Sequence, residues 1–278
     1  MQDLKAWLGR TETQSDNIAA APLQALAATL DVDVPATALP PLWHWIFFTP
    51  KARAGEIGPD GHPRRGGFLP PVALPRRMWA GGRLEWHAPL HVGDAATRTS
   101  RIVKVDEKQG KSGALVFVTV RHEISGPRGL ALTEEHDIVY RGEAPRPRPG
   151  AAAPPAQPAP ADAAFAREIV PDPVLLFRYS ALTFNGHRIH YDRRYATEVE
   201  GYPGLVVHGP LIATLLVDLA RRERPALLPR RFSFKAVHPV FDIHPFAVCG
   251  RDEAPGCLAL WARDAEGRLA MLATLETS

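Results

Sequence analysis

Cysteine is nearly absent from this chain, with only Cys249 and Cys257 among 278 residues. Two thiols close together late in a sequence make neither a disulfide framework nor a metal-ligand cluster, which fits a reducing, cytoplasmic setting. Long apolar runs are missing as well. The start, Met1-Gln2-Asp3-Leu4-Lys5-Ala6-Trp7-Leu8-Gly9-Arg10, is not a secretion signal, and no later stretch approaches the length of a membrane span. Nor does one sign of charge dominate. Lys plus Arg number 33 against 30 Asp plus Glu, so the net charge of +3 is small and no basic block concentrates it. A nucleic-acid partner needs a dense basic face and is not expected, although a pI of 9.0 leaves room for a local cationic patch facing an anionic substrate. What remains is a globular protein, 45% hydrophobic and long enough to bury one large core or two ordinary ones.

Proline, by contrast, is plentiful, and it is unevenly spread. Between Gly142 and Ala164 the chain becomes Ala- and Pro-rich, with almost nothing to bury. Proline removes backbone donors and favours extended conformation, so this stretch is predicted to link two halves, residues 1–142 and 165–278, through a linker at 143–164. The halves echo one another. Leu74-Pro75-Arg76-Arg77 precedes one alternating, strand-like run ending at a proline, and Leu228-Pro229-Arg230-Arg231 precedes another. Further strands are predicted at Leu115–Val120 and Leu132–Tyr140 in the first half, and at Leu258–Ala262 and Leu269–Leu275 in the second.

One helix stands out. From Pro210 to Arg222, Leu211, Ile212, Leu215, Leu216 and Leu219 recur at helical spacing, while Asp218, Arg221 and Arg222 lie off that face. Pro210 suits a first helical position, where its missing N–H removes no hydrogen bond. Leu23–Leu30 is the corresponding helical stretch of the first half. A buried helix with several strands, twice over, describes a sheet wrapped around a helix in each half.

Two segments carry chemistry. In Phe184-Asn185-Gly186-His187-Arg188-Ile189-His190-Tyr191-Asp192, the two histidines and Asp192 invite a metal reading, but an intact site usually needs a fuller ligand set and none is expected here. Gly201-Tyr202-Pro203-Gly204-Leu205-Val206-Val207-His208-Gly209-Pro210 then delivers the chain into the N-terminus of the buried helix. Free N–H groups at Gly209, Leu211 and Ile212, with the positive end of the helix dipole, make an oxyanion site there. The competing structural reading is that Gly204 and Gly209 only permit a tight turn.

Together these segments resemble the MaoC-like hydratase and dehydratase families, whose motif sets an acidic residue five positions before a histidine and follows it with a His-Gly step. The resemblance is strongest to the branch holding the fungal-type mitochondrial dehydratases and the bacterial 3-methylfumaryl-CoA (mesaconyl-CoA) hydratases. It rests on Phe177 to Asp192 and Gly204 to Pro210, with Arg64-Arg65-Gly66-Gly67-Phe68-Leu69-Pro70-Pro71 and Leu74 to Gly82 in the first half. It implies an α+β double hot-dog, two antiparallel sheets each wrapped around a long central helix. The first half lacks the motif and is expected to shape the acyl pocket and a channel for CoA. His190 is then the expected acid–base residue, Asn185 a water-orienting group and Gly209 the oxyanion donor. Asn185 stands where the wider family has an aspartate; an amide cannot ionise, so the proton falls to His190.

The resemblance thus implies a hydro-lyase acting on an acyl-CoA, with no cofactor beyond the CoA of the substrate and with homodimers among the expected states. For 3-methylfumaryl-CoA, whose free carboxylate joins the CoA phosphates, Arg188 is the expected carboxylate partner. Arg64, Arg65, Arg76 and Arg77 are candidates for phosphates or the same carboxylate, and Gly204 for close substrate approach. A 3-hydroxyacyl-thioester dehydratase of fatty-acid metabolism is the alternative, and would need a long apolar channel; Trp43, Trp45, Phe47, Phe48 and Trp79 are bulky enough to shorten one. From another class, a non-catalytic thioester-binding protein is invited by Asn185 and opposed by His190 with its intact glycine-punctuated helix entry.

Overall fold

The computed structural model describes residues 3–110, 113–142 and 156–278. In the first half the order is β1 (Thr11–Asn17), α1 (Ala20–Leu30), β2 (Arg76–Trp86), β3 (Ala95–Gly110), β4 (Gly113–Gly126) and β5 (Gly129–Arg141). The second half runs β6 (Phe165–Ile169), α2 (Pro173–Leu182), α3 (Gly209–Glu223), β7 (Pro229–Ala236), β8 (Phe246–Ala254), β9 (Cys257–Arg263) and β10 (Leu269–Thr277). All strand pairs are antiparallel, and they form one ten-stranded sheet ordered β1-β3-β4-β5-β2-β7-β10-β9-β8-β6. Each half therefore repeats one strand order, and the two sheets meet edge to edge where β2 pairs with β7.

The echo in the sequence has a structural counterpart. Beyond β2, the N–H groups of His87 and Ala88 both donate to the Ala131 carbonyl; beyond β7, those of Val237 and His238 both donate to that of Ala270. Pro89 and Pro239 then keep the chain from continuing the ladder. At the seam Gly81 and Gly82 face β7 so closely that a Cβ on Gly82 would stand 2.9 Å from the Phe234 ring, which explains two glycines inside a strand.

In their helices the halves are unequal. α3 is buried from Leu211 to Ala220 and packs on β6, β8, β9 and β10, as its leucine pattern predicts. Between β1 and β2 the only α-helix is α1, eleven residues long and packed against α2, followed by a mostly irregular stretch over 31–75. That stretch covers the concave face of the first sheet with Trp43, Phe47 and Phe48, all buried. α2 was not anticipated, although Asp172 caps it by accepting from the N–H groups of Val174 and Leu175 and Pro173 sits in its first turn. Of the expected linker, 143–155 lie outside the described residues. Its end packs on the second half, where Gln157 accepts from the Leu269 N–H and Ala159 donates to the Gly267 carbonyl.

Candidate functional site

The motif loop begins where α2 ends. Phe184 takes a positive φ of 48°, turning the chain so that the Asn185 N–H donates to the Ser180 carbonyl. The Asn185 side-chain oxygen accepts from the His187 N–H at 3.0 Å, tying the turn that follows. A short 3-10 turn, Arg188–His190, then places His190 beneath the entry to α3. There His190 Nδ1 lies 2.7 Å from the Val206 carbonyl. A carbonyl can only accept, so Nδ1 carries the proton and Nε2 is left with its lone pair. Burial holds the His190 pKa down at about 4, against the opposing Val206 bond and with His62 adding to the depression. His190 is thus a neutral imidazole with a fixed tautomer, ready to accept a proton.

His208, the residue before α3, stacks on it with ring centroids 3.8 Å apart. It is buried and does not cap the helix; its Nε2 bonds Ser180 Oγ at 2.8 Å. Burial, with His190 and His187 beside it, depresses its pKa well below the ordinary value. Ser180 and His208 thus form a neutral floor under His190, a part the sequence reading did not assign to them. At the helix N-terminus the Ile212 N–H already donates to the His208 carbonyl at 3.1 Å, leaving Gly209 and Leu211 as the available donors of the three expected. Gly204 packs instead against Asp242, where a Cβ would meet a carboxylate oxygen at 2.6 Å, so its role here is a close chain approach rather than substrate contact.

The first half reaches into this site through Pro59–His62, which sequence reasoning missed. The Asp60 carbonyl accepts from the Arg188 N–H at 2.9 Å, and Gly61 lies so close to the Gly186 carbonyl that no side chain fits. His62 then packs its ring 4.0 Å from that of His187, which lies 5.3 Å from His190. Its Nδ1 bonds Asp60 Oδ2 at 3.0 Å. Burial would raise the Asp60 carboxyl, but the side-chain and backbone hydrogen bonds from His62 outweigh it and keep the group ionised. Burial also lowers the pKa of both His62 and His187, His187 far below the ordinary range. Asp-Gly-His reads as a turn in the sequence, and nothing local ties it to a motif so far downstream.

Several expected substrate arginines are already engaged. Arg188 donates from Nε and Nη2 to Asp192, from Nη1 to the Pro59 carbonyl, and lies 4.2 Å over the Tyr195 ring. It fastens the loop and has no free fork for a carboxylate, which corrects the expectation placed on it. Arg65 is likewise turned to the carbonyls of Val72 and Leu74. Arg76 meets Glu200 at 3.8 Å across the two halves and lies over Tyr202, while Arg64 is exposed. Arg77 makes no ion pair among the described residues; it stands opposite Tyr140 across β2 and β5. Ligand atoms of Asp60, His62 and His187 lie within 4.8 Å of one another, as do those of His122, Glu134 and His136. Neither group is the His187, His190 and Asp192 set that the spacing brought to mind.

A model of the family described as hydroxyacyl-thioester dehydratase type 2 matches residues 42–242. The chain is 48% identical over 285 aligned residues to the mesaconyl-C(4)-CoA hydratase of Chloroflexus aurantiacus, covering 99% of this chain and 98% of that protein. Among solved structures, a MaoC-like dehydratase superposes with a TM-score of 0.71 at 15% identity, covering 99% of each chain. A Mycobacterium tuberculosis protein described as having a double hot-dog fold superposes with a TM-score of 0.58 at 14% identity, over 97% of this chain and 96% of that one. With the repeated strand order, the helix entry and the histidine beneath it in place, the chain belongs to the hydroxyacyl-thioester dehydratase type 2 family and has the double hot-dog fold.

Proposed function

We propose that this protein catalyses the reversible addition of water to the double bond of an enoyl-CoA thioester, with mesaconyl-C4-CoA as the substrate. The observation that carries this reading is His190, a buried neutral imidazole whose Nδ1–H is fixed on Val206 and whose Nε2 is free, set beside the N-terminus of α3. In hydration, Nε2 takes a proton from water as the oxygen bonds to the β carbon, and the π electrons move toward the thioester oxygen as an enolate. The Gly209 N–H and the dipole of α3 stabilise that charge, and His190 returns its proton to the α carbon. Asn185 places the water through its amide nitrogen, its oxygen being tied to the His187 N–H.

Identity to the Chloroflexus enzyme along nearly the whole chain supports the choice of substrate. So does the bulk of the first half, where Trp43, Phe47 and Phe48 are buried in the core with Trp45 and Trp79 packed against it, a filling that suits a short acyl group better than a long one. On this reading residues 1–142 shape a short acyl pocket and the CoA channel, and residues 165–278 carry the chemistry. The test is to incubate the purified protein with mesaconyl-C4-CoA, crotonyl-CoA and trans-2-decenoyl-CoA and follow loss of the conjugated enoyl absorbance. Rapid turnover of mesaconyl-C4-CoA is expected, with crotonyl-CoA much poorer and the ten-carbon ester inert. Preference for the ten-carbon ester would move the protein to the fatty-acyl dehydratases, and no turnover of any ester would sink the hydratase reading.

A further inference from the structure

The first half contributes more than a wall. The stretch from Pro59 to Arg65 and the start of β2 converge on the motif loop, bringing His62 against His187 and Arg77 opposite Tyr140. Of the arginines around this junction, Arg65, Arg76 and Arg188 are held by protein oxygens. Arg77 is partly buried and makes no ion pair among the described residues. It lies within hydrogen-bonding reach of the Tyr140 hydroxyl, whose pKa burial raises and Arg77 and Arg65 pull back, and close enough to His62 and His187 to disfavour their protonation. Asp60, the acid of this loop, is turned to His62. Arg77 therefore carries a half-buried guanidinium with no ion partner among the described residues, the ionised Asp60 being taken up by His62, and can accept an anionic group from a ligand.

The geometry points to Arg77 as the residue that recognises a free carboxylate on the β carbon of the substrate, in a pocket walled by His62 and His187. This rests on the proposed hydration of a dicarboxylic monothioester. With the β carbon at His190, a carboxylate attached to it projects toward His187, whose ring is 5.3 Å from that of His190, and His62 follows 4.0 Å further on. Arg77 is on the same side of this junction, since Arg65, three residues beyond His62, lies over the ring of the Tyr140 that Arg77 stands opposite, and its planar fork suits a carboxylate bound by two parallel N–H bonds. The half without the catalytic motif would thereby decide which acid the other half hydrates.

The test uses ligands that cannot be hydrated, so it stands apart from the substrate assignment. Binding of S-(3-carboxypropyl)-CoA and of S-butyl-CoA, which differ by a carboxylate in place of a methyl, is measured by titration calorimetry on the full chain. Wild type should favour the carboxylated thioether by roughly tenfold or more. Arg77→Met should erase that preference by weakening the carboxylated ligand alone, and Arg77→Lys, which keeps the charge, should retain part of it. Equal affinities in wild type overturn the inference, as does an Arg77→Met protein that binds both thioethers more weakly by one factor, which would place Arg77 on CoA instead. Should Arg77→Met fail to fold, loss of all preference in Arg77→Lys with S-butyl-CoA binding also reduced overturns it equally.

Discussion

The two halves share one strand order and differ in what fills it. Across β3, β4, β5 and β2 runs the row Ser100, His122, Glu134 and Leu84; across β8, β9, β10 and β7 the corresponding row is Gly250, Leu260, Ala273 and Phe234. The second row is apolar and lies under α3, a helix with leucine on its buried side. The first is polar. His44 and Trp45, from the irregular stretch that stands where a long helix would, both bond Glu134 at 3.0 Å, while His122 bonds Ser100 Oγ at 2.8 Å. Burial would push the Glu134 carboxyl up, but the imidazoles of His136 and His44 outweigh it and hold the group ionised. The same strand order thus accepts a polar filling in one half and an apolar one in the other, the polar one held by hydrogen bonds onto Glu134 and Ser100. The half with the long helix is the one whose helix N-terminus stands beside the motif histidine, where an enolate can be stabilised on the proposed mechanism.

That contrast is broken most directly at His190. His190→Ala should lower kcat by about 10²–10⁴-fold, since no histidine of the first half lies at the N-terminus of α3 to replace it. Only the neutral imidazole accepts a proton, and its pKa is held at about 4, so kcat/KM in wild type should stay flat down to about pH 5 and fall near pH 4. A well-folded His190→Ala protein with wild-type turnover would end the mechanism, and a limb near pH 6.5 would show an exposed base.

Next in size is the buried network of the first half. Glu134→Ala should destabilise by roughly 3–5 kcal/mol in urea unfolding, by leaving His44 and Trp45 without their acceptor. Leu260→Ala, in the matching row of the second half, should cost roughly 2–5 kcal/mol through its cavity. The two should part with pH. Glu134 has a folded pKa below its ordinary 4.5, so its contribution is complete above that value and fades as pH falls through the folded one. The gap between wild type and Glu134→Gln should therefore narrow in acid, while the Leu260→Ala gap stays nearly constant. A Glu134 effect that ignores pH would mean its charge does not hold the fold.

The smallest expected effect is at Asn185, which on the proposed mechanism supplies one hydrogen bond to the water. Asn185→Ala should lose about tenfold in kcat, and Asn185→Asp should stay active. A loss as large as that of His190→Ala would make the amide, and with it the loop turn it ties, as essential as the base.

Much of this was written locally. The leucines of α3 recur at the helical period and so declared a buried helix, with Pro210 marking its start, and the repeated Leu-Pro-Arg-Arg marked equivalent strands that the paired bonds to Ala131 and Ala270 bear out. The nine-residue motif pointed to His190, and the Gly-Pro entry pointed to the donors at Gly209. β3 went unread because its run of Thr, Arg, Lys and Asp shows little apolar alternation. α2 went unread because its apolar residues are not confined to one face, Val174 and Phe177 being exposed while Leu176 and Tyr179 are buried.

By itself, then, the sequence determined the periodicities, the punctuation and the residue types, since each depends on neighbours a few positions away. Only the tertiary structure decided which arginines are free, because Arg188 and Arg65 are engaged by atoms whose positions follow from the packing of distant segments. It alone brought Asp60 and His62 to His187, and joined two sheets into one along β2 and β7. The tautomer and depressed pKa of His190 belong there too, for burial and the Val206 carbonyl set them, and neither exists until the chain has closed around the ring.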